Sequence, residues 1–197
     1  MPIPAQVRNF AFFPNIDDWL PGDLVLVAPV NPDWIHRQIH AAQMRSGYAA
    51  EDAQWQHAAV YTGDGYVCEA GTSGVRYAPI FSYVGEHLIQ VRRDFTLSND
   101  ERWRLVVQAI VRLGQPYNFR EILSVYRSSL SMSWTSALGT QLVAHGKSII
   151  CSQLYATAYS AVAGRQVSRF VNTSVVPATL SLSAVLSDVS LHWKDIV

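Results

Sequence analysis

The stretch His57-Ala-Ala-Val-Tyr-Thr-Gly-Asp-Gly-Tyr-Val-Cys-Glu69-Ala70 reads as two short strands joined by a tight turn. His57 to Tyr61 and Tyr66 to Ala70 are apolar and β-prone. Between them stands Thr62-Gly63-Asp64-Gly65, and an Asp-Gly pair flanked by such runs is a strong hairpin signal, because glycine accepts positive φ without a Cβ clash. A three-residue loop of Gly63, Asp64 and Gly65 would pair Thr62 with Tyr66. That register sets Val60 opposite Cys68 and Ala59 opposite Glu69. Side chains alternate along a strand, so His57, Ala59 and Glu69 then share one face. A two-residue loop would turn Glu69 away from His57.

Outward from the hairpin, Leu20-Pro-Gly-Asp-Leu-Val-Leu-Val27 is a turn feeding an apolar strand. Asn31-Pro-Asp33 caps an expected helix to about Met44, with Trp34, Ile35, Gln38, Ile39 and Ala42 at helical spacing. Arg45 to Gln56 reads as a polar loop. Further strands are expected at Gly74–Tyr77 and Leu88–Arg92. Ser98 and Glu101 stand at capping-box spacing, opening a helix that stops at Gly114. Residues 118–148 are apolar and Ser-rich, read as one or two helices. Another helix opens at Cys151 and runs to about Ala163, with Leu154, Ala158 and Val162 on one stripe. The first 19 residues read as irregular, and the tail after Pro177 as a short helix and strand.

The chain has 197 residues, 49% of them hydrophobic and 15% charged. That suits one domain, 1–197, with a real core. Its formal net charge is zero, which argues against nucleic acid or an anionic membrane as partner. No run is long enough to span a bilayer; Leu130 to Ala144 is broken by Ser, Thr and Gly. No secretory signal is apparent, so the expectation is a soluble protein made in the cytoplasm. Two cysteines in a chain this long are no disulfide scaffold, which leaves a working thiol as an expectation.

Cys151 falls where a helix begins. Unpaired N–H groups and the positive end of the dipole favour thiolate there, more so beside an imidazolium. The same N–H groups can hold an oxyanion. Cys151, His57 and Glu69 therefore make a complete set of nucleophile, base and orienting group. Cys68 alternates away from Glu69 and reads as core. Asp23 is a rival orienting acid, although its place in a Pro-Gly-Asp turn suggests a bond to backbone. Trp55 either walls the cleft or fills core. His36 and His40 lie one helical turn apart, but with no third ligand evident they read as a solvated face, and no metal or other cofactor is expected.

The same residues carry a resemblance to the NlpC-type papain-like peptidases in permuted order. That family shows "GxPY", then "DCSGL", then "PGDLV", then "HVGIYxGDGxxIH". Here Leu20-Pro-Gly-Asp-Leu-Val25 comes first and the His57 hairpin second, with Gly114-Gln-Pro-Tyr117 and Ile150-Cys151-Ser-Gln-Leu154 last. The family's third polar residue lies twelve positions after its histidine, as Glu69 does after His57. The permuted branch includes lecithin–retinol-acyltransferase-like and YiiX-like proteins, and a glutamate suits the latter better. The chain departs from the pattern at Ile150, where an acidic residue often stands, and at Gln153, where glycine is usual.

The resemblance implies an α+β, papain-like, circularly permuted fold with an antiparallel sheet packed on the Cys151 helix. It implies a cysteine peptidase or amidase, its substrate a peptide or acyl-amide such as a peptidoglycan peptide. Tyr117 matches a family position and is a candidate phenolic donor; Ser152 and Trp55 are further candidates for oxyanion or substrate contacts. With no export signal visible, such an enzyme would be an effector toxin sent through a non-classical secretion route, with an immunity or delivery protein as partner. The rival readings are a lipid-directed acyltransferase or N-acyl hydrolase, motivated by the apolar 118–148 segment, and a non-catalytic binding module.

Overall fold

The computed structural model describes residues 10–116, 150–169 and 175–195. Six strands form one antiparallel sheet in the order β5-β4-β3-β2-β6-β7. In chain order these are β2 (Leu24–Pro29), β3 (His57–Gly63), β4 (Tyr66–Gly71), β5 (Gly74–Pro79), β6 (His87–Arg93) and β7 (Ser187–Val189). A separate two-stranded ribbon pairs β1 (Phe12–Pro14) with β8 (Trp193–Asp195). The helices are α1 (Trp34–Arg45), α2 (Ala50–Ala53), α3 (Asn99–Ile110), α4 (Cys151–Ala163) and α5 (Pro177–Ser181).

β2 lies between β3 and β6, and both of its faces are covered. That is why Leu24-Val-Leu-Val27 is a continuous apolar run rather than an alternating one. Leu24 and Leu26 join the core cluster that holds Ala58, Val60, Cys68 and Ala70, together with Cys151, Leu154 and Tyr155 of α4. Val25 and Val27 join the opposite cluster with Ala59, Tyr61 and Val67. α4 thus packs on one face of β3 and β4, and its N-terminal half is buried almost all round. Each Leu so buried contributes roughly 1.5–3 kcal/mol.

The hairpin differs from expectation in an instructive way. Its turn is the two-residue Asp64-Gly65, with φ of 51° and 78°, and Gly63 rather than Thr62 pairs with Tyr66. A bulge between Tyr61 and Gly63 adds one residue to β3 and restores the parity that the shorter turn removes. Ala59 therefore still faces Glu69, and Val60 still faces Cys68. The Thr62 hydroxyl donates to the Tyr66 carbonyl at 3.0 Å, closing the bulge.

The Pro21-Gly22 turn is tied down by Asp23. Its carboxylate accepts from the Leu20 N–H at 2.8 Å and from both ends of the Arg93 fork at 2.8 and 2.7 Å, with Arg102 at 3.5 Å. Gly22, at φ 85°, lies so close to α3 that a Cβ would meet the Arg102 carbonyl at 3.1 Å.

The capping box of α3 forms as expected, the Glu101 N–H donating to Ser98 and the Ser98 N–H to the Glu101 carboxylate. The α-helix ends at Ile110, and a turn carries the chain to Gly114. α1 starts at its Asp33 cap, but only Ala42 and Gln43 are buried, and Trp34 is 62% exposed. Of the residues at helical spacing only Ala42 joins the core, while Trp34 and Ile35 stay exposed. Residues 10–18 are less irregular than expected, because β1 finds β8. Within Arg45–Gln56 the short α2 forms, and Gln43 holds it by donating to the Ala53 and Trp55 carbonyls. Residues 118–148 lie outside the described residues.

Asp23→Ala would leave two buried guanidinium groups without their anion. The expected loss is about 3–5 kcal/mol, read as a lower urea midpoint at unchanged slope. A loss under about 1 kcal/mol would show that Arg93 and Arg102 find other partners.

Candidate active site

β3 begins with His57 and β4 places Glu69 diagonally from it on the same face. His57 Nε2 and Glu69 Oε2 are 2.8 Å apart. With Nε2 so engaged, Nδ1 is the ring nitrogen left to face elsewhere. The Cys151 thiol lies beside the imidazole, close enough for each to favour the charged form of the other, and the backbone N–H groups of Ala58 and Ser152 lie near enough to the sulfur to favour its thiolate. α4 lies on the opposite face of the sheet from Ala59, so the thiol meets the ring at the end of β3, beside Ala58. The three residues that the sequence singled out are brought together.

Charge follows from this geometry. Burial opposes ionisation of both Cys151 and His57, yet each favours the charged form of the other. The thiol is held below its usual range and the imidazole is raised, an arrangement that favours a thiolate–imidazolium pair. α4 has no side-chain cap at Ile150, so its first-turn N–H groups add to this. Gln153, which stands where the family has glycine, reaches back to the Ile150 N–H at 3.4 Å.

Glu69 is 1% exposed. Burial alone would raise its pKa, but His57, Tyr83 and Arg76 hold it down at about 2. Arg76 reaches Oε1 with Nε at 3.0 Å and a terminal nitrogen at 2.9 Å. The Tyr83 hydroxyl donates to Oε2. Arg76 and Tyr83 are functional candidates that the sequence reading missed. A signal for Arg76 existed: Gly71 pairs with Gly74 across a two-residue turn, which sets Arg76 directly opposite Glu69. No spacing pointed to Tyr83, which arrives from a 3-10 turn after β5.

The other candidates fall as follows. The Ser152 hydroxyl donates to the Val175 carbonyl at 2.6 Å, so only its N–H serves the sulfur. Trp55 is buried in the core cluster and does not line the cleft. Tyr117 lies outside the described residues. Cys68 is core, its thiol pushed up to about 11 by burial and by the nearby Glu69 charge. Asp23 is occupied by the arginines and the Leu20 N–H. His36 bonds its own helix cap, Asp33, at 2.7 Å. A cleft of about 340 Å³ opens beside His57 and Glu69, with Arg76, Tyr83, His87 and His36 on its walls. Cys151, 5% exposed, is not among the described residues that line it.

With this geometry in view, the fold can be compared with known proteins. It is mixed α+β with antiparallel sheets, and it is similar to metalloprotein YiiX from Escherichia coli O157:H7. The superposition gives a TM-score of 0.60 over 89% of this chain and 98% of that chain, at 18% identity. Such a likeness shows the fold alone. No family model and no curated protein sequence matches the chain. YiiX is described as a metalloprotein. Among the described residues here, no group of three or more His, Cys, Asp or Glu is placed to hold a metal ion. Among the same residues, no helix is long and apolar enough to cross a membrane.

Two outcomes are expected. Glu69 is depressed from 4.5 to about 2, so it contributes stability that is present above pH 4.5 and lost as pH falls toward 2. Across that window the wild type should lose on the order of 3 kcal/mol relative to Glu69→Gln in urea unfolding. Parallel curves would show that Glu69 is not held as an anion. Second, iodoacetamide should label Cys151 below the pH at which an ordinary thiol reacts, while Cys68 in the folded protein stays unlabelled. Peptide mass spectrometry showing equal labelling of both would remove the case for a special thiol.

Proposed function

We propose that the chain is a cysteine-dependent amide hydrolase of the permuted NlpC-type, papain-like kind, with Cys151 as nucleophile, His57 as acid and base, and Glu69 as the orienting group. The observation that carries this reading is the order of the three groups: the Cys151 thiol beside the His57 ring, and that ring hydrogen-bonded in turn to the buried Glu69 carboxylate. Core histidines and cysteines have no need of that order.

The steps follow from the roles. The thiolate attacks the amide carbonyl carbon, forming a C–S bond and an oxyanion. On this reading the main-chain N–H groups at the start of α4 receive that oxyanion. The His57 imidazolium gives its proton to the leaving nitrogen, the C–N bond breaks, and the amine departs. Water then attacks the thioester as neutral His57 takes its proton. The C–S bond breaks, releasing the carboxylic product and restoring thiolate and imidazolium.

By the resemblance, the substrate is a cell-wall peptide, such as a bond around γ-D-glutamyl and diaminopimelate. The Arg76, His36 and His87 side chains at the cleft suit a peptide bearing charged groups better than a bare acyl chain. On this reading the enzyme acts outside the cell that makes it, as an effector delivered by a secretion machine and matched by an immunity protein.

Digestion of purified peptidoglycan tests this. The wild type should release new muropeptide ends, Cys151→Ala none, and His57→Ala at least about 100-fold fewer. Identical muropeptide profiles for wild type and Cys151→Ala would reject a peptidoglycan substrate.

A further inference from the structure

We propose that Arg76 is a positioning residue that balances the charge of Glu69, so that the carboxylate orients His57 without drawing off the proton that His57 must deliver. The inference rests on the thiol-hydrolase reading but concerns a residue outside the Cys-His-Glu set.

A carboxylate has about four acceptor positions. At Glu69 two are filled by the Arg76 fork on Oε1, and two by His57 and Tyr83 on Oε2. No position is left to take a proton. The charges also pair off. Arg76 offsets Glu69, and His57 is left to offset the Cys151 thiolate. Without Arg76, one imidazolium would stand between two anions. It would bind Glu69 more tightly and part with its proton less readily, slowing departure of the amine.

The register builds this contact in. Glu69 and Arg76 are direct cross-strand partners on β4 and β5, where opposite charges attract. Arg76 nevertheless remains 57% exposed at the cleft, unlike Arg93 and Arg102, which are buried with Asp23. A fully sunk arginine would serve packing. This one keeps much of its side chain open at the cleft wall while holding the acid behind it.

The pH dependence of Cys151 alkylation by iodoacetamide reads the charge balance that Arg76 sets around the pair and needs no substrate. On the acid limb the thiol loses its proton while His57 is already protonated, so the basicity of His57 does not enter. What enters is the remaining charge around the sulfur. The groups that face it or the cleft are His57, Glu69, Arg76, Tyr83 and His87 from the sheet and its 3-10 turn, and the Asp33–His36 pair from α1. Arg76→Met removes a cation and leaves the Glu69 anion uncompensated. That single loss of positive charge disfavours thiolate, so the acid limb should move up by about one pH unit. Arg76→Lys keeps the charge but loses the fork and should move the limb by no more than a few tenths of a unit.

Arg76 lies on an edge strand with an exposed side chain, so both variants keep the core, and a circular dichroism melt checks this. An unmoved limb in Arg76→Met, or an equal shift in both variants, overturns the proposal. Because alkylation is read without turnover, failure here is separate from failure of the peptidoglycan assay.

Discussion

A buried carboxylate is costly unless donors replace the water it gives up. Glu69 is such a group, and its donors come from separate parts of the sheet. β3 supplies His57, β5 supplies Arg76, and the turn after β5 supplies Tyr83. All must arrive in register before the cost is offset. The order β5-β4-β3 and the pairings within it are therefore held by more than backbone ladder bonds. A slip of either neighbouring strand would leave an anion in the protein interior with part of its shell missing.

The sheet also separates the tasks of the site. One face carries Ala59, Tyr61 and Val67 and, by alternation, His57 and Glu69. The other face receives α4 and its thiol. A nucleophile and a base on opposite faces of a sheet can meet only at an end of a strand, and His57 is the first residue of β3. Its position lets the ring bond Glu69 on its own side and still reach Cys151 around the edge. The α+β fold shared with YiiX describes this frame, and the chemistry assigned to it here rests on the side chains.

Much of this was legible in the sequence because the signals were local. The Pro-Gly turn into Leu24-Val-Leu-Val27, the Ser98–Glu101 box and the Asp-Gly hairpin depend on neighbours within a few residues. The hairpin turn was nonetheless misassigned in detail. A bulge and a shorter turn give the same facing pairs as a longer turn, and only the count of residues is visible from the sequence. Long-range pairings were not legible. Nothing in Phe12-Phe-Pro14 points to Trp193-Lys-Asp195, 179 or more positions away. Trp34 and Ile35 have helical spacing, but spacing does not say whether a partner covers the face. Arg76 could have been found by continuing the strand register one turn further, whereas Tyr83 depends on a 3-10 turn whose path no pattern specifies.

The bulge at Thr62 has a further consequence for how such a chain can diverge. Residue types in the Thr62–Gly65 connection can drift so long as the backbone angles are kept. Its length is a different matter, since inserting a single codon would rotate every later residue of β4 to the wrong side unless a second compensating change followed. Gene lineages descending from this one should therefore vary the connection's spelling only among residues that accept its positive backbone angles, glycine above all at 63 and 65, while altering its length only in even steps or by trading a bulge for a longer loop.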